Sequence, residues 1–256
     1  MSQIKLGDFT NLAQDYSKFR PGYSENITER ILASSFKKIH EMNIADIGAG
    51  TGIFTRSLSK KNPKTLWAIE PNDNMRNEGK KFKDSKIKWI AGSAEHTTLP
   101  DNSLDLVTTA SSFHWANTNK ALAEFNRILC DKGIFTALWN PRITELSKIE
   151  TKIDSILIKK YNIKKRISSG RSGITNKLTK ILNNSSYFKK VDYCEYLNEV
   201  KISKDHYIGA WHSVNDIRSQ LGEKKFSEFI KTIEKILINV NLIDVHYLTR
   251  AWIALK

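Results

Sequence analysis

Across roughly the first 140 positions the apolar residues keep two alternating rhythms. Short continuous runs of β type, Ile44 to Ile47, Leu66 to Ile69, Ile87 to Ala91, Leu104 to Ala110 and Ile134 to Trp139, are separated by stretches with helical spacing. Ser24 opens one such stretch, in which Ile27, Ile31, Leu32, Phe36 and Ile39 would share a helix face, and Phe54 and Leu58 mark a second. Pro71-Asn72-Asp73 begins a polar, lysine-rich helix containing Met75, with Asp73 placed to cap it. Leu122, Phe125, Ile128 and Leu129 stripe a helix from Asn117 to Cys130, closed by Asp131-Lys132-Gly133. Strand and helix in strict alternation predict a parallel sheet covered on both faces. Beyond position 140 the rhythm loosens. A helix over Arg142 to Tyr161, a loop at Ser168 to Gly173, a short helix through Leu182, strands at Val191 to Val200 and Val245 to Leu255, and a helical section from Lys204 to Val240 are expected.

The first strand ends in Asp46-Ile47-Gly48-Ala49-Gly50-Thr51-Gly52. Alternate glycines allow backbone conformations that a Cβ blocks, and they bring N–H groups at a helix start close to a ligand. A dinucleotide fingerprint needs its third glycine at position 53, where Ile53 stands, which argues against NAD or FAD. The second strand ends in Glu70, 18 positions after Gly52, a spacing that sets a carboxylate beside the turn for a ribose.

This ordered pair resembles motifs I and II of the class I S-adenosylmethionine-dependent methyltransferases, and Leu99-Pro100-Asp101 with Ser103, Asp105, Leu106 and Val107 resembles the same family. The opening segment, Ala13, Tyr16, Arg20, Pro21 and Tyr23, is similar to a methyltransferase type 11 subgroup that includes trans-aconitate-type enzymes. The resemblance implies an α/β fold: a Rossmann-like, seven-stranded, mostly parallel sheet with an antiparallel last strand, helices on both faces and a helical cap. Residues 1–140 would form the cofactor-binding core with an N-terminal lid helix, and 141–256 the cap over the acceptor site together with the last two strands. It further implies S-adenosylmethionine as cofactor, S-adenosylhomocysteine as product, and a cofactor site at Tyr16, Arg20, Gly48, Ala49, Gly50, Gly52, Glu70, Pro71, Met75, Ser93, Ala94, Glu95 and Ser111.

The loop Ser111-Ser112-Phe113-His114-Trp115 follows the fourth strand, at the sheet end where open α/β folds hold ligands. His114 is a candidate base or acceptor-orienting group, because an ordinary imidazole titrates near neutrality. His114, Trp115, Tyr207 and Trp211, with His212, are candidates for the acceptor pocket wall; aromatics at helical spacing also suit a plain helix core. A small-molecule acceptor is expected, methylated at O, N or C, with anionic compounds and natural-product intermediates among the candidates. An RNA or protein methyltransferase, and a binding protein that transfers no methyl group, stay open as alternatives.

Composition changes this picture in only a few places. A net charge of +14 permits nucleic-acid contact, yet no RNP1-like or KH-like motif accompanies it, which argues against a nucleic-acid partner. The charge concentrates between Ser155 and Val191, a span without an acidic residue, as a solvated face or a funnel for anions. Cys130 and Cys194 are far apart and outside any C-x-x-C pattern, so no metal site is expected and both read as buried thiols. No apolar stretch reaches the roughly 18 residues of a membrane span, and Met1 to Thr10 lacks an apolar signal core. A cytoplasmic monomer or homodimer without membrane contact is the expectation.

Overall fold

The computed structural model describes residues 13–163, 170 and 173–256. Most of the expected Ser168 to Gly173 loop, the segment Met1 to Thr10, and Lys164, Lys165, Arg166 and Arg171 lie outside the described residues. Seven strands form one sheet: β1 (Asn43–Ile47), β2 (Thr65–Ile69), β3 (Ile87–Ile90), β4 (Leu104–Ala110), β5 (Leu129–Trp139), β6 (Lys190–Ser203) and β7 (Leu242–Leu255). Their order is β3-β2-β1-β4-β5-β7-β6. The first five pair in parallel, and β7 runs antiparallel to both β5 and β6.

Parallel strands buried on both faces read as unbroken apolar runs, and Ile44, Ala45 and Ile47 are all fully buried. One face is covered by α2 (Glu25–Leu32) and α3 (Ile53–Ser59), whose Ile27, Ile31, Phe54 and Leu58 meet Ile44, Leu66 and Leu106. The other is covered by α5 (Thr118–Ile128) and α7 (Leu178–Asn183), through Leu122, Phe125, Leu178 and Leu182. The remaining helices are α1 (Ala13–Phe19), α4 (Asp73–Lys80), α6 (Lys148–Tyr161), α8 (Lys204–His212) and α9 (Asn215–Ile236).

Strand β5 pairs with β7 only from Arg250 to Leu255, whereas β6 pairs with β7 along its whole length. The β6–β7 pair therefore overhangs the sheet from Leu242 to Thr249. Its inner residues Ile243, Val245 and Tyr247 are buried against α6, α8 and α9 in a third apolar cluster. That overhang carries the cap to the carboxyl ends of β4 and β5, and so decides where the second cavity described below lies.

Several local expectations are corrected. Helix α2 stops at Leu32, leaving Phe36 78% exposed and Ile39 in a short 3₁₀ turn, because the chain must turn back into β1. Ser24 makes no side-chain cap; its N–H instead donates to Thr249 Oγ1 at 3.0 Å. Helix α4 is capped by Asn72, whose Oδ1 accepts from Met75 N at 3.1 Å, while Asp73 pairs with Arg76. Both cysteines are half-buried, and Cys130 lies in β5 rather than in α5, its thiol donating to Asn102 O. The Arg142 to Tyr161 stretch opens with a 3₁₀ turn before α6, and α9 bends at Gly222, whose φ of 72° is non-helical.

Candidate functional site

The sheet reverses direction between β1 and β4, its topological switch point, where open α/β sheets leave a crevice at the carboxyl ends of their strands. A cavity of about 270 Å³ opens there. Its floor is the turn after β1. Gly48, Gly50 and Gly52 all take left-handed backbone, with φ of 66°, 58° and 79°. A Cβ on Gly48 would lie 2.5 Å from Ser112 Cβ, so this glycine also permits the close approach of the β1 and β4 ends.

Asp46, ahead of the turn, faces away from the cavity. Its carboxylate accepts from Thr55 Oγ1 at 2.6 Å and Thr108 Oγ1 at 2.9 Å, tying β1 to α3 and β4. Full burial raises its pKa to about 6 against the pull of those hydroxyls. Glu70 closes the turn from the side. Its Oε2 accepts the Gly50 N–H at 2.8 Å and its Oε1 the Asn72 N–H at 2.9 Å. Each oxygen keeps a second lone pair, so the pinned carboxylate can still accept two hydroxyls. Burial pushes its pKa up, partly offset by those two amides.

Among the expected cofactor residues, Tyr16, Gly48, Ala49, Gly50, Glu70 and Pro71 line this cavity. Met75, Ser93, Ala94, Glu95 and Ser111 line it as well. Gly52 does not: it is the N-cap of α3, its space taken by Trp89, and its part is conformational. Arg20 does not either, because its Nε and Nη2 donate to Ser213 Oγ and O, at 3.0 and 3.2 Å, binding the lid to the junction of α8 and α9. Glu95 accepts the Asn117 N–H at 2.7 Å, fixing the start of α5 beside the cavity. Asn72, which the sequence did not single out, also lines it, as do Ser112 and Phe113 of the loop expected to face the ligand.

A second cavity of about 170 Å³ adjoins the first. Tyr16, Tyr23, Ile53, Ser111 and Trp115 line both. Ser111 stands at this shared wall with φ of 55°, left-handed for a residue with a Cβ, and its Oγ accepts from the Tyr23 hydroxyl at 2.9 Å. His114 and Trp211 line the second cavity, as does Arg142, which the sequence did not single out. Tyr207 does not line it. That side chain is fully buried in the cap core, its hydroxyl donating to Glu150 at 3.4 Å, so it supports the wall from behind. His212 packs edge-on against Phe226 and also misses both cavities.

His114 accepts at Nδ1 from the Trp139 indole N–H at 3.3 Å. An indole only donates, so Nδ1 carries no proton and the neutral ring holds its hydrogen on Nε2. That Nε2 is buried with no partner among the described residues. Burial draws the imidazole pKa down to about 4, keeping it neutral at pH 7. Arg142 uses Nε on Tyr247 OH and Nη1 on Glu150 Oε1, both at 3.2 Å, and its guanidinium lies over the Tyr207 and Trp211 rings. Burial opposes its charge, but Tyr247, Tyr207 and Glu150 more than compensate and hold it protonated.

No group of three or more potential metal ligands occurs among the described residues, and no helix among them is long and apolar enough to cross a membrane. The described lysines of the basic span, including Lys159, Lys160, Lys177 and Lys180, are exposed and line neither cavity.

Comparison with known proteins agrees with this geometry. The family model of the methyltransferase domain matches residues 45–137, from β1 to β5. An uncharacterised methyltransferase of Schizosaccharomyces pombe is 28% identical over 93% of this chain and 92% of its own. The malonyl-[acyl-carrier protein] O-methyltransferase of Geobacter sulfurreducens is 32% identical over 48% of each chain. The chain spans about half the length of most of the curated relatives it matches. A solved structure from Anaeromyxobacter dehalogenans, described as a type II methyltransferase, shares the fold over 92% of this chain and 97% of its own, with a TM-score of 0.67 at 16% identity. The chain therefore carries a methyltransferase domain over residues 45–137, set in a seven-stranded sheet of the Rossmann-like fold that its solved neighbours share.

Proposed function

We propose that this protein transfers the methyl group of S-adenosylmethionine to a small-molecule acceptor held in the second cavity. The observation that carries the reading is the wall shared by the two cavities, formed by Tyr16, Tyr23, Ile53, Ser111 and Trp115. The residues of the first cavity suit the donor: Glu70 offers two free lone-pair positions to a ribose, Met75, Ala94 and Phe113 give an apolar bed for a base, and the glycine turn leaves room for the amino-acid end. When bound there, S-adenosylmethionine supplies an electrophilic methyl on a good thioether leaving group.

The protein's own contribution is placement and dryness. Tyr23 and Ser111 fix the junction between donor and acceptor, Trp115 and Trp139 wall it, and α1 closes from above through Arg20 and Ser213. Alignment of this kind supplies about 7–11 kcal/mol of rate acceleration without a covalent intermediate. His114 is not placed to act as a base: its Nδ1 accepts from the Trp139 indole and its Nε2 is buried. The second cavity, at about 170 Å³, and the cap of α6, α8 and α9 favour a small acceptor over RNA or protein. Incubation with methyl-labelled donor and a panel of small acceptors tests the reading. Label should move to at least one of them, while tight donor binding with no transfer across the panel would leave a binding protein.

A further inference from the structure

We infer that the protein docks peripherally on an anionic lipid surface through the pole formed by the amino ends of its parallel strands, with Phe36 entering the headgroup layer. Both cavities lie at the opposite, carboxyl ends, so a molecule held this way keeps its site towards the water. The turns that lead into successive strands carry exposed lysines. Lys38 precedes β1, Lys64 precedes β2, Lys83 precedes β3, Lys132 stands near the start of β5, and Lys189 and Lys190 lead into β6. Because β1 to β5 run parallel, and β5 and β6 are both antiparallel to β7, all of these starts lie at one end of the sheet.

Most acids of the same end are engaged. Asp105 is buried beneath Lys37 at 2.7 Å and also accepts the Asn43 N–H, Asp84 accepts from Ser59, and Asp101 pairs with Arg127. Glu41 and Asp131 are exposed, and Lys189 lies 3.9 Å from Asp131. The excess at this pole is positive, which a leaflet of anionic headgroups attracts within a Debye length.

Charge alone does not separate a lipid from another polyanion, but the aromatic residues do. Phe36, in the turn after α2, is 78% exposed, more than any other large apolar side chain described, and Phe82, after α4, is 45% exposed. Lys132 Nζ lies over the Phe36 ring, 5.8 Å from its centre, and the Arg56 guanidinium over Phe82 at 3.8 Å. Rings with a face already covered by a cation are poor platforms for nucleobases, which stack on aromatic faces. A protein partner is disfavoured because lysine is depleted from protein interfaces. An apolar ring among lysines suits the headgroup boundary, where the ring leaves water while the ammonium groups stay in it. Peripheral docking needs no spanning stretch, and here it replaces the sequence expectation of no membrane contact.

The test sediments the whole protein with phosphatidylcholine vesicles and with vesicles that also contain phosphatidylserine. Binding is expected only to the second kind, weakening about tenfold as salt rises from about 50 to about 200 mM. Binding to neither kind, or to both equally, overturns the inference. Lys38→Glu with Lys64→Glu should weaken vesicle binding at least about tenfold and leave methyl transfer in solution unchanged. Lys224→Glu with Lys231→Glu, an equal change of charge at exposed positions of α9, should have little effect. Equal losses in the two double variants would mean that total charge binds and that no pole is involved. Phe36→Ser should weaken binding about fivefold without changing its salt dependence. An unchanged affinity in Phe36→Ser, or tighter binding to single-stranded RNA than to the anionic vesicles, contradicts a lipid partner.

Discussion

At the scale of single residues, function rests on where carboxylates and donors are pinned before any ligand arrives. Glu70 is held by the Gly50 and Asn72 amides, so its free lone pairs are already oriented. Glu70→Ala should weaken S-adenosylhomocysteine binding by about 1–3 kcal/mol, through loss of charge-assisted hydrogen bonds to the ribose. Calorimetry reads this directly, and an unchanged affinity would remove Glu70 from the site. Asp46 is buried in the same motif for a different purpose. Its pKa of about 6 in the folded chain lies above the ordinary value of about 3.9, so the folded state binds more protons than the unfolded state between those pH values. Stability from this group is therefore complete below about pH 4 and falls by about 3 kcal/mol as pH rises through 6. Denaturant melts from pH 4 to 7 should show this decline in the wild type and a smaller one in Asp46→Asn; equal declines would mean that Asp46 is not the group responsible. The motif shows what a sequence can and cannot tell at this scale. The glycine spacing and Glu70 were legible because backbone geometry demands them, but nothing local distinguishes Asp46, which braces the sheet, from Glu70, which faces the cavity.

At the scale of elements, helix α1, helices α6, α8 and α9 and the strand ends meet around the shared wall. Helix α1 packs against α4 on one side and α8 on the other, with the Phe19 carbonyl accepting from His206 Nε2 at 3.1 Å. Gly209 makes this contact possible: a Cβ there would lie 2.6 Å from the Phe19 ring. Gly209→Ala should displace Phe19 and α1 at a cost of about 1–3 kcal/mol of lid docking. Donor affinity should fall while the main melting transition of the sheet is kept; unchanged donor affinity would show that α1 takes no part in holding the ligand. The five parallel strands were readable because strands buried on both faces leave continuous apolar runs. Insertion of β7 between β5 and β6 was not readable from periodicity, since strand order is set by tertiary packing, and it entered only through family resemblance. Arg142 escaped notice for a related reason. It follows Asn140-Pro141 at the end of β5, and its partners Glu150, Tyr207 and Tyr247 come from three later elements, α6, α8 and β7, brought together only by tertiary packing.

At the scale of the whole molecule, the charge of +14 and the site are separate matters. The described lysines of the basic span are exposed and line neither cavity, while the second cavity is lined by Arg142, itself paired with Glu150, and by Asp154 and Asp216. Methyl transfer to the small acceptor should therefore change by less than about threefold between 50 and 200 mM salt, because the contacts are short and sheltered. A nucleic-acid acceptor engaging the basic face through several phosphates would lose about a thousandfold or more over the same interval, so a steep salt dependence of KM would count against a small acceptor.

The crevice between β1 and β4 is expected to hold the methyl donor with its sulfur turned towards the second cavity. A crystal structure with S-adenosylhomocysteine measures this most directly. It should show both ribose hydroxyls within about 3.2 Å of the Glu70 carboxylate and the sulfur at the Tyr23 and Ser111 wall. A ligand bound elsewhere, or one whose sulfur faces away from His114 and Arg142, would contradict the account.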